Sequence, residues 1–129
     1  IWRDENDRKK MSIKSQINPK YALTYAYKLG YIKNKYTLLK VKIETWRTHQ
    51  IRVHLSSIWF PIIWDKVYWN EKINKEAENS YWLKRQALHA FCLKLNLYWK
   101  EKIFIWKLKD DMKKVIWDSV DISKLDLFI

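Results

Sequence analysis

Gly30 is the only glycine in a chain of 129 residues, while nine residues are tryptophan. Average glycine usage is about 7%. Glycine turns the backbone through positive φ without a steric cost. A chain with one glycine must therefore turn nearly every corner with residues that carry a Cβ. The tryptophans fall where corners are expected. Trp64-Asp65, Trp69-Asn70, Trp99-Lys100 and Trp117-Asp118 occupy turn or cap positions, and Trp59 follows a helical segment. None lies on the apolar side of a clear periodic pattern, as core packing, base stacking or a membrane belt would require. Read as glycine, these positions become Gly-Asp, Gly-Asn and Gly-Lys turns and a glycine helix terminus. UGA is a stop in the standard genetic code, tryptophan in some codes and glycine in a few bacterial lineages. The expectation is that the nine tryptophans are UGA codons read with the wrong code. The abundance of Lys, Ile, Asn and Tyr, all AT-rich in their codons, agrees.

The length suits one domain, or part of one. The first residue is Ile1 rather than Met, which points to a fragment. There is no apolar run long enough to span a bilayer and no signal-peptide pattern. Cys92 is the single cysteine; it reads as a small buried hydrophobe, in keeping with a reducing cytoplasm. Lys and Arg number 26 against 14 Asp and Glu, a net charge of +12. Such an excess calls for a polyanionic partner, nucleic acid first and a membrane surface second.

Periodicity places the elements. Residues 11–13 form a short strand, 22–29 a longer one, and Leu29-Gly30 opens a connection to a strand over 36–44. There Thr37, Leu39, Val41 and Ile43 alternate with Leu38, Lys40, Lys42 and Glu44. Thr48 to Ile58 reads as a strand with Ile51, Val53 and Leu55 inward, or as a helix with an Ile51, Leu55, Ile58 stripe. Thr48 as N-cap and Pro61 beyond the far end favour the helix. Residues 60–70 read as two extended pieces joined at Trp64-Asp65, 71–79 as a polar surface insertion, and 83–90 as a turn-helix or strand. Cys92 to Tyr98 and Lys102 to Trp106 alternate around a two-residue turn at Trp99-Lys100. Asp110 caps a helix over 111–116.

With glycine restored, residues 44–55 read "ETGRTHQIRVHL". This resembles the signature of RluA-type pseudouridine synthases. "SSIWFPIIWDKVYWN" resembles that family's "GHPILGDxxYG" run, and "RQALHA" at Arg85 to Ala90 its next block. "IWRDENDRKKMSI" resembles "IGRxxxDRxKM", and "KYALTYAYKL" resembles an "A-x-T-x-Y" strand. The blocks follow one another in the family's order along most of the chain. The resemblance implies an α+β fold, a mixed and largely antiparallel sheet with flanking helices. Residues 1–129 would be the C-terminal part of a single catalytic domain. The family's nucleophilic aspartate stands in an "HRLDxxTSG" block, and no aspartate of this chain has that context. The fragment is therefore expected to be inactive alone.

When complete, the implied enzyme isomerises uridine to pseudouridine in ribosomal or transfer RNA, without a cofactor, as a cytoplasmic monomer that does not engage a membrane. The uridine is flipped into a pocket. The aspartate attacks the nucleoside, the glycosidic bond breaks, and the base rotates and rejoins through carbon, which then loses a proton. Arg52 would pair with the aspartate. Leu88 would pack beneath the base. The family's tyrosine would stack on it, but the register here puts Ala26 at that position, leaving Tyr25 or Tyr27, with Tyr25 assigned. Arg47, Thr48, His49 and Gln50 at the helix start and Arg85 and Gln86 in the later block are the expected RNA contacts, Arg47 either touching RNA or tying down its loop. No metal site is expected: His49 and His54 lie on different helix faces, without a converging carboxylate cluster. His89 reads as a packed, hydrogen-bonded residue. The alternatives are a non-catalytic basic RNA-binding fragment with genuine tryptophans, and a membrane-surface protein, for which no long amphipathic helix is found.

Overall fold

The computed structural model describes residues 1–4, 6–7, 9–14, 18–32, 35–69, 75 and 85–117. The class is α+β, with every described strand pair antiparallel. Strand β1 (Trp2–Arg3) pairs with β2 (Met11–Ser12). The intervening turn is organised by Asp4, whose Oδ1 accepts the N–H groups of Asn6 (2.9 Å) and Asp7 (3.0 Å), the local competition for backbone donors that makes aspartate a turn residue.

Strands β3 (Thr24–Ile32) and β4 (Tyr36–Ile43) form the longest hairpin. Thr24 to Lys28 pair without interruption with Ile43 to Leu39, and the register shifts between Lys28 and Gly30. The turn does not begin at Leu29-Gly30 as the sequence suggested. Gly30 instead lies beside a ladder irregularity, a second common use of strand glycine, and β3 runs on to Ile32. Alternation along β4 gives the expected half-buried strand, but it did not mark the residues that meet the core at this end. The residues that meet the core are Ile32, Tyr36 and Leu38, with Ile63, Trp64 and Val115 packed on them.

Helix α1 (Gln50–Ser57) settles the helix-or-strand question in favour of the helix. Its N-cap is His49 rather than Thr48, in a left-handed conformation (φ 56°) and without a side-chain cap bond. The buried positions are Gln50, Val53 and Leu55, whereas Ile58 is exposed. Of the expected stripe, Leu55 is buried and Ile51 half-buried, so the stripe located the buried face only in part. Residues 61–69 form turns rather than extended pieces, and 85–90 are irregular. The proposed insertion at 71–79 lies almost wholly outside the described residues.

Strands β5 (Cys92–Leu97) and β6 (Lys100–Ile105) make a second hairpin in strict register. Its two turn residues are Tyr98 and Trp99, one position earlier than expected. Cys92 is half-buried rather than enclosed. Helix α2 (Asp110–Trp117) includes Asp110 as its first residue; the carbonyl of Lys109 accepts the Met112 and Lys113 amides, both at 3.0 Å. Asp110 and Asp111 in the first turn oppose the positive end of the helix dipole.

Three tryptophans take the left-handed backbone that the corner reading required: Trp59 (φ 66°), Trp64 (φ 63°) and Trp99 (φ 65°). Each has a defined geometry. Trp59 follows the C-cap of α1. Its N–H bonds the Ser56 carbonyl (3.1 Å), and the Phe60 N–H bonds that of Leu55 (2.9 Å). This is the paired bonding of a Schellman motif, whose left-handed residue is usually glycine. Trp64 is the third residue of a turn closed by the Asp65 N–H to the Ile62 carbonyl at 3.2 Å, with the positive φ of a type II turn. Tyr98 (φ 50°) and Trp99 form a hairpin turn with both central residues at positive φ, the type I′ pattern that Asn-Gly satisfies. Trp46, Trp69 and Trp117 depart from the reading: none has a positive φ, Trp117 is the last residue of α2, and Trp46 stands exposed in the loop before α1.

Candidate active site

The loop before α1 is organised around the side chain of Gln50. Gln50 is 3% exposed. Its Oε1 accepts the Thr45 hydroxyl (2.7 Å) and the Arg47 N–H (3.1 Å), and its Nε2 donates to the Leu23 carbonyl (2.8 Å) and Thr24 Oγ1 (2.9 Å). All polar capacity of this amide is used inside the protein. Gln50 was expected to meet RNA; it is turned inward because a helix start beside a strand needs its neighbours' polar groups satisfied. One turn on, His54 Nδ1 lies 2.9 Å from the same Thr24 hydroxyl.

Arg52 lies on the other side of α1, two residues and thus ~200° round from Gln50. It makes a bidentate ion pair with Asp65, Nε to Oδ2 at 2.7 Å and Nη2 to Oδ1 at 2.8 Å. The arginine side chain is 16% exposed and that of Asp65 0%. Gln86 Nε2 adds a bond to Oδ2 (2.9 Å), and the Val67 and Tyr68 amides reach Oδ1 (3.0 and 3.2 Å). A carboxylate offers about four lone-pair sites, so Asp65 is saturated. Burial pushes its carboxyl up, but the bonds from Arg52, Val67 and Tyr68 outweigh this and hold it below the usual carboxylate range. An aspartate so enclosed cannot attack a nucleoside. It orients the arginine. Among the described residues Nη1 of Arg52 has no acceptor, so one edge of the guanidinium stays open.

Tyr68 supports this pair from below. The guanidinium carbon lies 4.9 Å from its ring centroid, a cation–π distance. Its hydroxyl accepts the Met11 N–H (2.6 Å) and lies 3.0 Å from His49 Nδ1. Burial first, and the charge of Arg52 second, lower the His49 imidazole, with Asp65 opposing. A neutral His49 can accept the phenol hydrogen at Nδ1. His54 is likewise lowered by burial.

These shifts give stability a direction with pH. Both histidines have depressed folded-state values, so the unfolded chain takes up protons first, and stability falls as pH drops through about 6.5. Asp65 adds a second loss at lower pH, because its contribution is complete above about 3.9 and disappears as the folded carboxylate is protonated. Urea midpoints from pH 8 to pH 3 are expected to decline in these two stages. A midpoint unchanged between pH 7.5 and pH 5 would contradict the half-buried placement of the histidines.

The remaining expected site residues divide. Arg47 and Thr48 are exposed, and Arg47 Nε ties the loop to the Tyr21 carbonyl at 3.1 Å. Arg85 pairs with Asp111 (Nε to Oδ2 2.7 Å, Nη2 to Oδ1 2.9 Å), which holds that carboxyl low. Gln86 serves Asp65, and Leu88, 36% exposed, stands two residues beyond it. Tyr25 is not brought to Arg52. Thr24 faces α1, consecutive strand residues point to opposite faces, and Arg52 is on the far side of the helix. The ladder is unbroken from Thr24 to Lys28, so no bulge moves Tyr25 or Tyr27 across the sheet. His89 Nε2 lies 3.4 Å from the Trp106 carbonyl. Among the described residues no His, Cys, Asp and Glu cluster could hold a metal, and no helix is long and apolar enough to cross a membrane. Sequence reasoning missed Asp65 and Tyr68. Both stand in the "IIWDKVYW" block, where a buried arginine partner could have been sought.

No protein-family model matches the chain. Among individual proteins, it is similar to the ribosomal large subunit pseudouridine synthase D of Zymomonas mobilis, at 39% identity over 70% of this chain and 28% of that protein. An RNA pseudouridine synthase of Helicobacter pylori is 50% identical over 56% of this chain and 26% of its own length. A MATH and LRR domain-containing protein of Plasmodium falciparum is 36% identical over 78% of this chain. Only 1% of that protein is matched, so its name carries no argument here. The chain is thus a relative of the RNA pseudouridine synthases. Its type is that of the RluA and RluD proteins, and it spans about a quarter of the length of those it matches. The sequence resemblance holds.

Proposed function

We propose that residues 1–129 are the C-terminal part of the catalytic domain of an RNA pseudouridine synthase, which isomerises uridine in ribosomal or transfer RNA once joined to a segment carrying the nucleophilic aspartate. The observation that carries this is Arg52. One edge of its guanidinium is fixed by the saturated Asp65, and among the described residues the Nη1 edge is open. A second carboxylate taken on that edge would be held ionised by a charge-assisted bond. It could then attack the nucleoside as the carbon–nitrogen glycosidic bond breaks. The released base turns and bonds through carbon, the carboxylate leaves, and the proton lost from that carbon is balanced by one gained on the base nitrogen. No cofactor enters this sequence. Tyr68 and Gln86 act through Arg52 and Asp65 as positioning residues. The enzyme would act as a cytoplasmic monomer.

The test uses the complete enzyme with an "HRLD" block, and RNA mapped for pseudouridine. Arg52→Lys keeps the charge but not the fork, and activity is expected to fall by about a hundredfold or more. The 129-residue chain alone is expected to give no product. Pseudouridine formed by the chain alone would overturn the proposal that the nucleophile lies outside it.

A further inference from the structure

Residues 24–43 hold four of the chain's eight tyrosines and five lysines, but no carboxylate. The hairpin of β3 and β4 arranges them. Tyr25 faces Lys42 across the ladder and Tyr27 faces Lys40, so all four share one face. The rings are 41% and 51% exposed. Lys42 Nζ is 5.9 Å from the Tyr25 centroid. It also pairs with Glu44 at 2.7 Å, just outside the strand. Thr24 faces α1, so this face points away from the helix. Lysines alone would suit a solvated surface, but exposed rings set between them do not serve solubility.

We infer that the Tyr25, Tyr27, Lys40 and Lys42 face is a docking surface for single-stranded RNA, the rings stacking unpaired bases and the ammonium groups meeting phosphates. The inference rests on the pseudouridine synthase reading for the identity of the strand as RNA. Charge complementarity carries the rest: a chain of net charge +12 presents a hairpin whose strands carry no carboxylate, with ring and cation paired across them and Glu44 meeting Lys42 at the edge. Residues two apart on a strand stand ~6.6 Å apart, about twice the ~3.4 Å rise of a stacked strand. The two rings therefore take bases already drawn out of their stack. Such a face would hold the RNA flanking the modified uridine, apart from the Arg52 site.

The test is binding of a labelled 12-nucleotide oligouridylate to the whole 129-residue chain, followed by fluorescence anisotropy across a salt series. Tyr27→Ala is expected to weaken binding about tenfold, and Tyr27→Phe, which keeps the ring, to bind like the parent. Lys40→Gln with Lys42→Gln is expected to reduce the slope of log affinity against log salt by about 1.4. Lys100→Gln with Lys102→Gln, on β6, is the charge control. Equal losses in the two lysine pairs, or parental binding by Tyr27→Ala, would overturn the inference in favour of diffuse charge attraction. Pseudouridine formation by the complete enzyme reads out separately. An active enzyme with an indifferent hairpin sinks only this inference, and a binding hairpin in an enzyme that makes no pseudouridine sinks only the functional proposal.

Discussion

Replacing Trp59 and Trp99 together by glycine is expected to raise stability by about 1–2 kcal/mol, a shift of several degrees in thermal midpoint. Both residues hold a positive φ, and both side chains stand almost wholly in solvent, at 91% and 103% exposure. A residue with a Cβ pays about 1–2 kcal/mol for that backbone. Glycine removes the strain and returns part of the gain by loosening the unfolded chain, about 0.4–1 kcal/mol at each position. No packing is lost at either site. Trp64→Gly should do less, because Trp64 packs on the Ile32–Tyr36 cluster and its removal leaves a void. At Trp69 the indole nitrogen is buried without an acceptor among the described residues, a cost that a glycine would not carry. Differential scanning calorimetry of parent and double variant measures the effect. Equal midpoints would defeat the claim that these corners are strained. Reading the nine codons addresses origin: UGA supports glycine in the native protein, UGG makes the tryptophans genuine.

The largest loss is expected from Asp65→Ala, about 3–5 kcal/mol. The substitution strands Arg52, 16% exposed, without its counter-ion. It also removes the acceptor for the Gln86 amide and the Val67 and Tyr68 N–H groups. A loss this size is a large share of the ~5–15 kcal/mol that keeps a domain folded. Asp65→Asn keeps the shape and one acceptor oxygen and should cost less. Chemical denaturation at pH 7 would measure both. An alanine variant as stable as the parent would show that the pair is not buried as described.

The corners were legible because conformational demand is local. A positive φ after α1, or two in succession at a hairpin tip, leaves its mark at that residue, and tryptophan at Trp59, Trp64 and Trp99 made the mark conspicuous. The hairpins and α1 were legible for the same reason, through period and punctuation. What escaped depended on contacts distant in sequence. Arg52 and Asp65 are separated by a helix end and a turn, and nothing in either segment alone names the other. Gln50 was taken as an outward polar residue because helical periodicity counts apolar side chains. Here the helix meets β3 through Thr24 and the Leu23 carbonyl, so the inward residue had to be polar. On β4 the alternation failed at the end where Tyr36 and Leu38 meet the core, because aromatic and aliphatic residues occur on both faces there. Tyr25 follows the same logic: the motif register suggested a site residue, and the strand's own pleat turned it the other way.

The tip of the second hairpin has an optical consequence. Trp99 carries no packing and no burial, so its indole should emit at the long-wavelength limit of tryptophan fluorescence and be quenched freely by iodide. Trp64, set against the core, should be shielded and blue-shifted. Trp46 and Trp59, at 72% and 91% exposure, join Trp99 in an outer, quenchable component, and Trp64 belongs to an inner one. With the exposed indoles silenced by iodide, the residual blue-shifted emission can therefore follow unfolding at the core.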